Sequence, residues 1–147
     1  MSAPKEPEAQ RVLIVDDRDD DVFLLMRALK KAGVPYSIDC AGNGVQAVKY
    51  LAGCLANTPV PDLPSMVLLD LKMPLMDGHE VLAWIRAQPE LANLQVYVLS
   101  TSHLEHDVAK AKGSGAADYW FKPNSLAGYY DLAARIKAIL FPSPGPA

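Results

Sequence analysis

Cysteine is scarce in this chain: only Cys40 and Cys54 occur among 147 residues, far apart and outside any Cys-x-x-Cys pair. That excludes a disulfide scaffold and a thiolate-ligated metal, and predicts two reduced cysteines packed as small hydrophobes in a cytoplasmic protein. No apolar run approaches the roughly 20 residues that cross a bilayer. Met1 to Gln10 is polar, holds Pro4 and Pro7, and lacks a signal-peptide pattern, so no membrane partner is expected. Positive charge is not in excess either. Lys and Arg total 14 against 17 Asp and Glu, a net charge of -3, which removes the electrostatic case for nucleic-acid binding. Histidines number three. His103 and His106 have the spacing of a helical metal pair but no third soft ligand, so they read as a solvated helix start, and His79 reads as a surface histidine.

Apolar residues, by contrast, make up half of the sequence, enough for one closed domain of this length. They fall into short runs that end in chemistry. Met66-Val67-Leu68-Leu69 closes on Asp70 and is followed by Pro74 and Gly78; Arg11 to Val15 closes on Asp16 and Asp17. Runs of this kind, bounded by Pro and Gly, predict strands buried on both faces, as in parallel sheets. Further strands are predicted at Tyr36 to Cys40, Gln95 to Leu99 and Asp118 to Phe121. Between them lie helical patterns over Asp19 to Ala32, Asn43 to Cys54, Gly78 to Pro89, Leu104 to Lys112 and Asn124 to Leu140, with Asp19 or Asp20 as the first helix cap. Leu55 to Ser65, with three prolines, predicts an extended loop. Trp84, Trp120 and Phe121 read as core or edge packing. Strand–helix alternation gives an α/β fold, a doubly wound five-stranded parallel sheet with helices on both faces. The domain spans 11–140, with 1–10 a flexible N-terminal segment and 141–147 a Pro-rich tail.

Ligands of open α/β sheets sit at the carboxyl ends of the strands. Those ends carry Asp16 and Asp17, Asp70, Ser100 and Thr101, and Lys122. Three converging carboxylates repel one another unless a cation enters. Hard oxygen donors with open positions suit Mg²⁺, which keeps waters for a phosphate to replace. Asp70 is then a candidate nucleophile forming an acyl phosphate, with Lys122 and a hydroxyl of Ser100 or Thr101 holding phosphoryl oxygens. Helix capping, turn hydrogen bonds and a solvated lysine are the plain alternatives for these residues one at a time.

Val15-Asp16-Asp17, Leu69-Asp70, Met73-Pro74, Asp77-Gly78, Ser100, Gly115-Ala116 and Lys122-Pro123 together resemble the receiver domain of bacterial two-component response regulators over 11–140. The resemblance implies a flavodoxin-like fold with strand order 2-1-3-4-5, and a known chemotaxis receiver illustrates its ligand site between the first and third strands. It also implies roles. Asp70 is the phosphoacceptor, and Asp16, Asp17, Asp70 and the Lys72 carbonyl bind Mg²⁺. Ser100 is the switch hydroxyl, Lys122 its ionic partner and Tyr119 the aromatic that changes rotamer. Ser100 stands where threonine is commoner, and Lys72 where asparagine often is. The long loop, Leu-Leu-Asp-Leu-Lys-Met-Pro and Leu-Ser-Thr-Ser narrow the resemblance to stand-alone, phytochrome-associated regulators. The partners so implied are a sensor histidine kinase, a downstream or phosphotransfer protein, and a second copy through the face of the fourth helix, fifth strand and fifth helix. With few residues after Leu140, output is expected through partner binding, phosphate relay or action as a phosphate sink. Two other readings compete: a haloacid-dehalogenase-like phosphatase, which needs a second Asp where Lys72 stands, and a phosphorylation-independent docking receiver.

Overall fold

A computed structural model describes residues 10–33, 36–56 and 62–142. Its elements follow in the order β1 (Gln10–Val15), α1 (Asp19–Lys31), β2 (Tyr36–Ala41), α2 (Gly44–Leu55), β3 (Met66–Leu69), α3 (Gly78–Ala87), a single 3-10 turn at Pro89–Leu91, β4 (Val96–Ser100), α4 (Glu105–Gly113), β5 (Asp118–Phe121) and α5 (Leu126–Leu140). All strand pairs are parallel, as the alternating pattern predicts, and their order β2-β1-β3-β4-β5 is the flavodoxin-like one that the resemblance implies.

Every residue of β3 and β4 is buried, which is why these runs are apolar without alternation. Successive side chains nevertheless enter different layers. Leu13, Val15, Val67, Leu69, Val96 and Val98 pack with α2, α3 and α4. Val12, Ile14, Met66, Leu68, Tyr97 and Leu99 pack with α1 and α5. The period of two along each strand therefore builds two cores.

Boundaries differ from the sequence reading in physically informative ways. Ser100 is the last residue of β4 and fully buried, rather than part of a loop cluster. Helix α1 begins at Asp19 behind Arg18, and neither Asp19 nor Asp20 caps it; the Arg18 amide is met instead by Asp16 Oδ1 at 2.9 Å, and the acids of the first turn, Asp19, Asp20 and Asp21, suit the helix dipole. Ser125 caps α5, and regular helix begins at Leu126, two residues after the predicted start at Asn124. Cys54 is buried as predicted, but Cys40 is exposed because β2 is an edge strand with incomplete cover. Of the predicted loop, residues 57–61 lie outside the described residues, as do 1–9 and 143–147 of the predicted flanking segments.

Helix α3 is seated directly on the end of β3. Asp77 and Glu80 form a capping box, and the Gly78 amide donates to the Leu71 carbonyl at 2.9 Å. A Cβ on Gly78 would stand 2.2 Å from the Asp70 carbonyl oxygen and 2.7 Å from Leu71 Cα, both backbone atoms that cannot swing away. Gly78→Ala is therefore expected to lower stability by about 2 kcal/mol or more, since overpacking moves backbone here. Urea unfolding at constant slope checks it.

Candidate functional site

Backbone hydrogen bonds carry the ladders of the central strands one step past their ends. Asp16 N donates to Ala41 O at 3.0 Å, Asp70 N to Val15 O at 2.9 Å and Lys122 N to Ser100 O at 2.9 Å. These bonds fix the first residue beyond β1, β3 and β5 on one rim. Asp70 follows, only 5 % exposed, and its Oδ1 accepts the Leu71 amide at 2.8 Å. Asp16 is also buried, whereas Asp17 is exposed. Carboxylate oxygens of Asp16, Asp17 and Asp70 all lie within 4.8 Å of one another.

Lys122 reaches into this cluster with a side chain only 4 % exposed. Its Nζ pairs with Asp16 Oδ2 at 2.8 Å and donates to Asp21 Oδ2 at 2.9 Å and Asp70 Oδ2 at 3.3 Å. Burial opposes its charge, but the hydrogen bonds to Asp16 and Asp21 and the fields of Asp70 and Asp16 outweigh that and hold the ammonium above the ordinary lysine range. For Asp70 burial prevails. It pushes the carboxyl up, the nearby Asp16 charge adds to it, and the attraction of Lys122 offsets only part because that ammonium is shared among three carboxylates. A carboxyl raised by burial costs stability that grows as the pH climbs from its unfolded value of about 3.9 and is complete above its folded value.

Ser100 lies at the end of β4 with its Oγ accepting the Ser102 amide at 3.1 Å. Thr101 and Lys72 are exposed, and neither side chain hydrogen-bonds to the carboxylates among the described residues. Tyr119 is turned inward, its hydroxyl donating to the Ser102 carbonyl at 2.8 Å. The structure thus brings together Asp16, Asp17, Asp70 and Lys122, with Ser100 and Tyr119 linked to Ser102.

Two features escape a reading by spacing. Asp21, which the sequence reading does not single out, is a direct partner of Lys122. It shares the buried stripe of α1 with Leu25, Ala28 and Leu29, and a carboxylate on such a stripe needs a partner. The second is a chain of polar contacts beside the rim. Ser102 Oγ donates to Asp107 Oδ2 at 2.6 Å, and Asp107 Oδ1 meets His79 Nε2 at 3.0 Å and His106 Nε2 at 3.4 Å. His79 is hence no surface histidine: its side chain is largely covered because Asp107, again on a buried stripe with Ala111, draws it against α4. His103 and His106 are exposed, as predicted for a helix start, with His103 stacked on Phe121. An open pocket of about 520 Å³ lined by Leu71, Lys72, Met73, Asp77, His79 and Asp107 adjoins this chain.

Hydrogen bonds from Ser102 and His79 hold the Asp107 carboxyl below its usual range. A depressed carboxyl stabilises the fold above its unfolded value of about 3.9 and loses that contribution as the pH falls through its folded value. Asp107→Asn is accordingly expected to be less stable than wild type by about 1 kcal/mol near neutrality, a gap that closes on acidification. Urea midpoints measured from pH 7 down to pH 3 check both the size and the sign.

Fold and rim chemistry together define a class: a doubly wound α/β domain with a lysine-bridged carboxylate cluster at the switch point between β1 and β3. The family model described as "Response regulator receiver domain" matches residues 12–134. Among curated relatives, the probable methanogenesis regulatory protein FilR2 of Methanothrix harundinacea is 35% identical over 139 residues, covering 92% of this chain and 88% of its own. Response regulator Rcp1 of Synechocystis is 33% identical over 129 residues, covering 86% of each chain. Among solved structures, the phosphorylated cyanobacterial phytochrome response regulator RcpA superimposes with a TM-score of 0.81 at 31% identity, over 95% of this chain and 99% of that one. The Mn²⁺-bound form of Rcp1 gives 0.79 at 31% identity, over 94% and 99%. The chain belongs to the response regulator receiver domain family, and it is similar over most of its length to phytochrome-associated regulators.

Proposed function

We propose that the chain is a phosphoryl-accepting switch: Asp70 takes a phosphoryl group from a sensor histidine kinase in a Mg²⁺-dependent reaction, and the modified rim changes which partner is bound. The observation that carries this reading is the convergence of the Asp16, Asp17 and Asp70 oxygens within 4.8 Å beside the buried ammonium of Lys122. The donor set suits a hard divalent cation: three carboxylates, two buried and one open to solvent, with no soft ligand among them. Asp16, Asp17, Asp70 and the Lys72 carbonyl are the residues proposed to hold it. When bound, such an ion neutralises carboxylate and phosphoryl charge and so lets two anions meet.

The chain's own residues do the rest. A carboxylate oxygen of Asp70 attacks the phosphorus of a phosphohistidine, the P–N bond breaks, and its electron pair returns to the imidazole nitrogen. Lys122 is in reach of the Asp70 carboxylate and is proposed to pair with the new phosphoryl oxygens, while the Ser100 hydroxyl, and Thr101 at the rim, supply hydrogen bonds. Drawing Ser100 toward the phosphate pulls on Ser102, and through it on Tyr119 and on α4. That is the route proposed for a change on the face of α4, β5 and α5. Leu104, Phe121 and Leu126 expose 53%, 47% and 39% of their surfaces there, which supports pairing with a second copy or a downstream partner.

The likeness to RcpA supports a phytochrome-type kinase as the donor, in the cytoplasm, a location consistent with the absence of any membrane-crossing helix among the described residues. A phosphatase of the haloacid-dehalogenase kind is disfavoured, because Lys72 occupies the place of its second aspartate. The proposed role is that of an acceptor, not an enzyme with turnover.

Intact mass after incubation with Mg²⁺ and acetyl phosphate tests the reading. A single phosphoryl adduct is expected on wild type and none on Asp70→Asn; labelling of both removes Asp70 from its role, and labelling of neither, with a histidine kinase also failing, favours a docking receiver. Because the Asp70 carboxylate is held above its ordinary range by burial, Asp70→Asn is also expected to be more stable at neutral pH, by about 1 kcal/mol. Thermal unfolding of the two proteins side by side checks this cost of the acceptor.

A further inference from the structure

Asp21 stands outside the triplet of carboxylates whose oxygens converge, yet it binds Lys122 at 2.9 Å, closer than Asp70 does at 3.3 Å. The ammonium has three N–H bonds and meets three carboxylates, Asp16, Asp21 and Asp70. Two of those three are also the buried members of the proposed cation site. Lys122 and a divalent cation therefore compete for the same oxygens. A cation arriving at Asp16 and Asp70 repels the ammonium, which cannot retreat into water, because its side chain is 4 % exposed and its backbone is pinned to Ser100. Of its three carboxylate partners only Asp21 lies outside the converging triplet, and with a side chain 22% exposed it offers the charge a partly covered partner on α1. Arg18 Nε is 3.6 Å from the same Asp21 oxygen, but its side chain is 65% exposed and contributes a weak, screened pair that leaves Asp21 available.

We propose that Asp21 is a positioning residue that takes charge of the Lys122 ammonium when a divalent cation occupies Asp16 and Asp70, keeping it beside the acceptor instead of opposing the cation. The inference rests on the cation-binding reading above and adds a residue to it. Without Asp21, both consequences run the same way: one negative charge near the cation is lost, and Lys122 commits more fully to Asp16 and Asp70. Cation affinity must fall. A carboxylate that served only to neutralise Lys122 in the fold would, when replaced, lower stability and leave that affinity unchanged.

Calorimetric binding of Mg²⁺ to the full chain, with no phosphoryl donor present, tests this in wild type, Asp21→Asn and Asp21→Glu. The Lys122 Nζ resonance is followed in protein carrying nitrogen-labelled lysine. The Mg²⁺ dissociation constant is expected to rise about tenfold in Asp21→Asn and to stay within about twofold of wild type in Asp21→Glu, the size typical of removing or keeping a group that orients a ligand. In wild type the Nζ resonance is expected to stay protected from solvent exchange at Mg²⁺ saturation, and in Asp21→Asn to lose that protection. Unchanged Mg²⁺ affinity in Asp21→Asn overturns the proposal while leaving the cation site standing. Loss of the protected Nζ resonance in Mg²⁺-saturated wild type also overturns it, and that measurement needs no variant to fold. Wild type that binds no Mg²⁺ overturns the cation-binding reading itself, and the role of Asp21 with it.

Discussion

One buried ammonium holds the functional end of this molecule together. Asp16, Asp21 and Asp70 each contact Lys122, and without it three carboxylates would face one another where water has little access. A buried ion pair rarely adds net stability over an apolar replacement, since desolvation cancels most of the attraction, but removing the one cation that several carboxylates share leaves them unpaired and is strongly unfavourable. The imbalance here is evident at Asp70. Asp70 remains above its ordinary range despite a lysine within 3.3 Å, because the positive charge is divided. The rim is therefore short of positive charge by construction, the electrostatic condition under which a divalent cation is drawn in.

That condition is imposed by the sheet and not by the loops. β1, β3 and β5 each deliver one side chain to the rim from a residue whose amide is already committed to a neighbouring strand. A carboxylate on a mobile loop would move away from its neighbours; one locked to the end of a buried strand cannot. The seat of Gly78 against the Asp70 carbonyl closes the remaining freedom from the side of α3. Fold stability and site electrostatics are thus opposed, with two well-packed apolar layers supporting a small cluster that would disperse if it could.

Most of this was legible in the sequence, and for a physical reason. Strands buried on both faces are apolar throughout, so Met66–Leu69 and the run from Arg11 to Val15 declare themselves, and the acid that ends each run stands out against them. Alternation and handedness gave the parallel, doubly wound sheet, whereas its strand order came from the resemblance to receiver domains. The ends were less legible because they depend on single hydrogen bonds: Asp16 Oδ1 on the Arg18 amide, not an acid at Asp19 or Asp20, sets the start of α1. Cys40 was misread as buried because a strand's own sequence does not say that it lies at an edge.

Asp21 and the Ser102–Asp107–His79 chain were missed for a shared reason that also says how to find such residues. Each contact joins side chains from different elements, and spacing along the chain carries no information about such meetings. Yet both acids sit on the inward stripe of their helices, Asp21 in line with Leu25 and Ala28, Asp107 in line with Ala111. A charge on that stripe cannot be left unpaired, so its position alone demands a partner from across the core. The demand is met differently in the two cases. Asp21 receives a fixed positive charge, which ties α1 to the end of β5. Asp107 receives a hydroxyl and an imidazole, weaker partners that tie α4 to α3 and to the segment beyond Ser100. Helix α1 is accordingly anchored to the site by an ionic contact, whereas α4 is held by hydrogen bonds that a shift of one serine can rearrange. The element with the weaker attachment is the one that the proposed switch would move.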